Sequence, residues 1–134
     1  MNYEIATNYM LNARLAELIG MKVADVDDAP FNFSFDNVTP LERYNNYRER
    51  YPDTVWCLKD GEPWEQYVFT SDWNQTMPLA VEHKIYHQEC NGLWDCGYSS
   101  GGGMFATQTH YVASDKNPLR AIVICLIKVL ERKK

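Results

Sequence analysis

The sequence predicts an α+β fold, with helices packed on a mostly antiparallel sheet in a sandwich-like arrangement, as one domain over residues 1–134. Three observations predict it. An aliphatic segment at helical spacing follows Asn117-Pro118. Two dipeptides, Asp60-Gly61 and Asn91-Gly92, sit between alternating stretches as hairpin turns. A leucine stripe near the N-terminus ends at a glycine.

Leu11, Leu15, Leu18 and Ile19 recur on one helical face, which predicts a first amphipathic helix over residues 7–19 with Gly20 as its cap. The acidic stretch from Met21 to Pro30 reads as loop. Phe31, Phe33 and Phe35 alternate with polar residues and predict a short, half-buried strand. Thr39-Pro40-Leu41-Glu42 is a capping box with proline at the first helical position. Its helix should run to about Tyr51, before Pro52, with Leu41, Tyr44, Tyr47 and Tyr51 in one stripe. Core packing is the ordinary use of such a stripe, and a binding surface the less common one.

Strands are expected over residues 54–58 and 64–70, then a helix capped by Ser71 or Asp72 that reaches His83. Pro78 in its early turns predicts a slight kink or a late start. Residues 84–90, 93–98 and 104–112 should form a three-stranded meander, with Ser99 to Gly103 as a loop. The last helix is capped by Asn117 and returns across that sheet, with Leu119, Ile122, Val123, Leu126 and Leu130 lining its core stripe.

At 46% hydrophobic and 23% charged, the chain has the balance of an ordinary globular protein. Its longest apolar run, Ala121 to Ile127, is far below the ~20 residues of a membrane span. Met1-Asn2-Tyr3-Glu4 has no basic start followed by an apolar run, so no export signal is expected and a cytoplasmic location is. Cys57, Cys90, Cys96 and Cys125 are then expected as free, buried thiols, Cys125 inside an apolar helix.

Residues 21–66 hold ten acids against five bases, which accounts for the net charge of −5. Nucleic-acid binding, which needs Lys and Arg on phosphates, is disfavoured.

Several motifs invite a catalytic reading. Gly97-Tyr98-Ser99-Ser100-Gly101 has the letters of a nucleophile elbow, but that motif needs strand, turn and helix. Here three glycines and a strand follow, and Asp115 comes after His110, against the triad order. The same glycines lack the Lys-Ser/Thr of a phosphate loop. His83, His87, Cys90 and Cys96 are zinc-type residues, yet a two-residue Asn91-Gly92 turn pairs His87 with Cys96 and turns Cys90 to the other face. Asp25, Asp27 and Asp28 lack the glycine and distal glutamate of a calcium loop. The expectation is no catalytic residue, cofactor or metal.

Three segments carry a resemblance: Leu11-Asn12-Ala13 to Leu18-Ile19-Gly20, Met77-Pro78-Leu79-Ala80-Val81-Glu82-His83-Lys84-Ile85, and Asn117-Pro118-Leu119-Arg120-Ala121-Ile122. In these the chain resembles the small bacteriophage proteins grouped as the NinX-like family and the related phage ABA-sandwich domains. The resemblance covers about half the chain and leaves residues 21–66 unmatched.

It implies a phage or prophage origin, a helices-on-sheet sandwich, and no catalytic residue. Together with the acidic, aromatic-rich segment, it leads to the expectation of a non-enzymatic protein that binds a bacterial protein and inhibits host machinery or antiviral defence. Asp25, Asp27, Asp28, Tyr44, Tyr47, Tyr51 and Trp64 are the expected contacts, their carboxylates meeting a basic partner. A nucleotide-sequestering protein is the alternative, a hydrolase or metal enzyme the third reading, and self-association stays open.

Overall fold

Seven consecutive residues near the C-terminus, Ala121 to Ile127, are all buried, and the elements on which their helix packs explain why. The computed structural model describes residues 2–32, 37–100 and 108–132. Its class is α+β, with helices on small antiparallel sheets, as the sequence predicts. Contacts divide the chain into two compact units. One is Thr7–Val68; the other joins the residues up to Ala6 with those from Phe69 onward.

In the Thr7–Val68 unit, helix α1 (Asn8–Leu18) starts where the Thr7 hydroxyl accepts from the Met10 amide. It stops in a Schellman arrangement. The Met21 amide reaches the Ala16 carbonyl and the Gly20 amide the Glu17 carbonyl, with Gly20 at φ +91°.

Strand β1 (Lys22–Val23) follows, inside the stretch read from sequence as loop. Two residues carry no alternation to read, and only pairing defines the strand. It runs antiparallel to β2 (Val55–Leu58), which pairs in turn with β3 (Glu65–Tyr67). Gly61, at φ +79°, makes the bend between β2 and β3. Strand β3 is shorter than the expected 64–70, since Phe69 and Thr70 already turn toward the next helix. Val55 and Cys57 face inward with Leu11, Leu15 and Leu18 of α1 among the buried residues. Asn12, fully buried, donates its side-chain amide to the Asp53 carbonyl at 2.8 Å.

Phe31 lies in a turn rather than a strand, its amide bonded to the Asp28 carbonyl; Phe33 and Phe35 fall outside the described residues. Helix α2 (Pro40–Arg50) begins at the Thr39 cap, whose hydroxyl accepts from the Glu42 amide.

In the other unit, a short 3-10 helix (Tyr3–Ile5) opens the chain. Helix α3 (Trp73–Glu82) is capped by the Asp72 carboxylate, which accepts from the Asn74 and Gln75 amides. It starts well before Pro78, so the late start does not occur. Thr76, fully buried, donates its hydroxyl to the Phe69 carbonyl.

Strands β4 (Ile85–Cys90), β5 (Leu93–Ser100) and β6 (Gln108–Asp115) form the meander, in that order. Asn91 and Gly92, both at positive φ, make the tight turn and set Cys90 against Leu93 and His87 against Cys96. Ser99 and Ser100 belong to β5 rather than to a loop, and β6 ends three residues later than expected. The residues from 101 to 107 are outside the described set, so the start expected at Met104 is too. Between the Cys96–Ala113 and Gly97–Tyr111 pairs Val112 is the extra residue of a β-bulge.

Helix α4 (Pro118–Arg132) packs on β4, β5, β6 and α3. Asn117 caps it, accepting from the amides of Leu119 and Arg120. No helix among the described residues is long and apolar enough to cross a membrane.

Candidate functional site

Helix α2 carries the candidate site. Arg43, Asn46, Tyr47, Arg50 and Tyr51 stand at i, i+3, i+4, i+7 and i+8, so they share one helical face. No residue of this helix is fully buried: Leu41 is 56% exposed, Tyr51 44%, and Tyr44 and Tyr47 are half-buried. The tyrosine stripe is therefore not a core stripe.

Opposite that face lie Pro30, Phe31 and Val38 from the connecting segments and the cross-strand partners Trp56 and Gln66. Together they line an open groove of about 460 Å³. Trp56 reaches it by strand alternation, because its neighbours Val55 and Cys57 point into the core.

Aromatic rings continue along the groove. Phe31 meets Tyr44 edge-on at 5.2 Å and Tyr47 at 5.6 Å between centroids. Tyr47 in turn meets Tyr51 at 5.3 Å and Trp56 at 6.3 Å. Such offset and edge contacts hold rings rigidly while leaving faces open. Burial, and then the neighbouring Tyr51 and Cys57, pushes the Tyr47 hydroxyl up to about 12, so it stays protonated at physiological pH.

Two guanidinium groups complete the lining. Arg43 donates to the Phe31 carbonyl at 2.9 Å, which fixes the turn that carries Phe31. Arg50 lies over the Tyr51 ring, its central carbon 5.5 Å from the centroid. Arg48 points elsewhere, onto the Tyr9 ring at 3.3 Å and to the Pro52 carbonyl.

The expected contact residues divide. Tyr47 and Tyr51 line the groove, and Tyr44 supports it from behind through Phe31. Trp64 is half-buried elsewhere, with the Lys22 ammonium 6.0 Å from its ring centroid. Asp25, Asp27 and Asp28 lie outside the groove lining. The Asp28 carboxylate accepts from the Asp25 amide at 2.7 Å and pairs with Lys22 at 2.9 Å. The Asp25 amide first, and Lys22 second, hold Asp28 below the ordinary carboxylate range. Asp25 accepts from the Val26 amide, so these two acids build a turn, with Asp25 and Asp27 exposed and Asp28 partly covered.

Sequence reading missed Phe31 as a groove wall, along with Arg43, Arg50, Trp56 and Gln66. The arginines share the tyrosine face and were readable on a helical wheel. Trp56 and Gln66 become neighbours only through strand register.

His87 stands opposite Cys96 as the turn requires, but its ring sits between Trp73 and Trp94, at 6.4 and 5.5 Å. Among the described residues no three His, Cys, Asp or Glu side chains converge on a metal position. The backbone of Ser99 pairs with Thr109 inside the sheet, whereas a nucleophile elbow turns from strand to helix. The Gly101–Gly103 loop lies outside the described residues.

Cys57, Cys96 and Cys125 are free and buried, and burial pushes each thiol from 9.0 up to about 12. At pH 8 an aromatic disulfide reagent is expected to modify at most one of the four thiols until guanidinium unfolds the chain; rapid loss of two would contradict this burial. The native state holds these protons more tightly than the unfolded chain. Their stabilising contribution is therefore complete below pH 9 and is lost as pH climbs from 9 toward 12. Urea midpoints at pH 7 and pH 10.5 should show the drop.

None of the family models, curated proteins or solved structures compared with the chain matches it.

Proposed function

We propose that this chain is a non-enzymatic binding protein that holds a bacterial protein through the α2 groove and thereby inhibits it. The supporting observation is the open, aromatic-lined groove on a helix with no fully buried residue, offering Tyr47, Tyr51 and Trp56 beside Arg43 and Arg50. Tyr, Trp and Arg are the residue types that dominate interface hot spots. The resemblance in the other segments extends the proposal to a phage or prophage accessory protein acting in the host cytoplasm, against host machinery or antiviral defence.

Affinity capture from bacterial lysate tests the reading. The wild-type protein should retain one dominant partner, and Tyr51→Ala should weaken that capture at least tenfold, the ~1.4 kcal/mol or more expected of a hot-spot truncation. Asp27→Lys, away from the groove lining, should leave capture unchanged. Absence of any partner at micromolar protein would sink the proposal, and equal capture by Tyr51→Ala would move the contact surface elsewhere.

A small-ligand reading is favoured by one observation, the groove's volume, which falls in the range of pockets for small molecules. A thermal-shift screen against nucleotides separates the two, since a ligand at 100 times its Kd adds about 2.7 kcal/mol of stability.

A further inference from the structure

Among the described residues, the charge that lines the groove runs against the charge of the chain. Residues 21–66 carry ten carboxylates and the whole chain nets −5. Among the described residues, none of those carboxylates lines the groove, whose lining includes two arginines. Asp25 and Asp28 are committed to their own turn and to Lys22. Arg50 is exposed, makes no ion pair among the described residues, and is held by the Tyr51 ring. A cation–π contact of this kind leaves the guanidinium N–H donors for a planar anion.

From this we infer that the groove takes an acidic peptide segment, in which a bulky apolar or aromatic side chain lies against Tyr47, Tyr51 and Trp56 and an adjacent Asp or Glu meets Arg50. The inference rests on the groove being the contact surface proposed above. It reverses the sign of partner that the acidic stretch suggested by itself.

Two features favour a peptide over a nucleotide. Asn46 carries an exposed side-chain amide, which both donates and accepts and so matches the alternating N–H and C=O of an extended backbone. Arg50 is the last residue of α2, at the end where unpaired carbonyls place partial negative charge. That field opposes a phosphate dianion more than a single carboxylate.

The test is selection of a random twelve-residue peptide library on the immobilised protein, followed by fluorescence polarisation of the enriched peptides. Enriched sequences should place Asp or Glu beside Phe, Leu, Ile or Trp. Their affinity should fall at least tenfold on Arg50→Glu and fall again as salt is raised, while Asp27→Lys leaves it unchanged. Arg50 is exposed at a helix end, so its replacement leaves the fold intact, which circular dichroism verifies. Basic sequences, no enrichment, or equal binding to Arg50→Glu would overturn the inference. So would ATP stabilising the wild-type protein but not Arg50→Glu.

Lysate capture that persists in Arg50→Glu would leave the binding-protein reading standing and remove the acidic segment. Acidic peptides bound at the groove without any captured protein would do the reverse.

Discussion

Leu126→Ala is expected to lower the free energy of unfolding by about 3–4 kcal/mol, within the range measured for buried leucines elsewhere. Leu126 has no exposed surface and lies within the buried run of α4, the helix that packs on all three strands of its sheet and on α3. Removing three carbon atoms forfeits their transfer from water and leaves a space. The wall of that space cannot collapse easily, because the helix around it is buried and Ile122, one turn back on the same face, is fully buried and stiff at χ1. Ile124→Val, which removes one methylene, should cost only about 1 kcal/mol. Urea unfolding followed by tryptophan fluorescence measures both. A loss below 1 kcal/mol for Leu126→Ala would mean the helix is far less tightly held than its burial indicates.

That helix was also the most legible element in the chain, and the reason is physical. A cap, a proline at the first position and aliphatics at helical spacing are local signals, all read within one segment. The Asn91-Gly92 hairpin was legible for the same reason, since its turn chemistry fixes the His87–Cys96 register without help from elsewhere. Strand β1 was not, because a two-residue segment becomes a strand only by pairing with β2.

The candidate site shows the same division. Tyr47 and Tyr51 could be read from the α2 stripe, although packing decided that the stripe would stay at the surface. The alternation around Phe31 suggests a strand, whereas its place in the groove wall depends on the Arg43 bond to its carbonyl. The three aspartates drew notice by their charge, yet Asp28 is occupied by a backbone amide and a lysine that composition does not reveal. Charge in a sequence counts groups, whereas binding depends on which of them the fold leaves unspent.

Arg120→Ala should have an effect nearly as large as the loss of Leu126, about 3 kcal/mol or roughly 10 °C in Tm. Arg120 stands in the first turn of α4, and its side chain is only 14% exposed. Its Nε donates to the Asp115 carboxylate at 2.9 Å. One terminal nitrogen reaches the carbonyls of Glu4 and Ala6 at 3.2 and 2.5 Å. The guanidinium thus satisfies carbonyls at the end of the opening 3-10 helix, which has few bonds of its own. The same N-terminal segment is tied to α4 twice more, by the Tyr3 hydroxyl on Glu131 and by Lys128 on Glu4 at 2.7 Å.

Truncation at Arg120 leaves Asp115 half-desolvated without its cation and exposes the 3-10 carbonyls, two losses in one change. Arg120→Lys should recover little, because an ammonium cannot serve Asp115 and the carbonyls from one fixed fork. Asp115→Asn, which keeps the carbonyl bonds, should cost less than Arg120→Ala. Hydrogen exchange gives the second readout: the Ile5 and Ala6 amides, bonded to the Asn2 and Tyr3 carbonyls, should exchange faster in Arg120→Ala than in wild type. Full rescue by lysine, or unchanged exchange at these amides, would show that the N-terminal segment is held by Tyr3 and Lys128 rather than by the guanidinium.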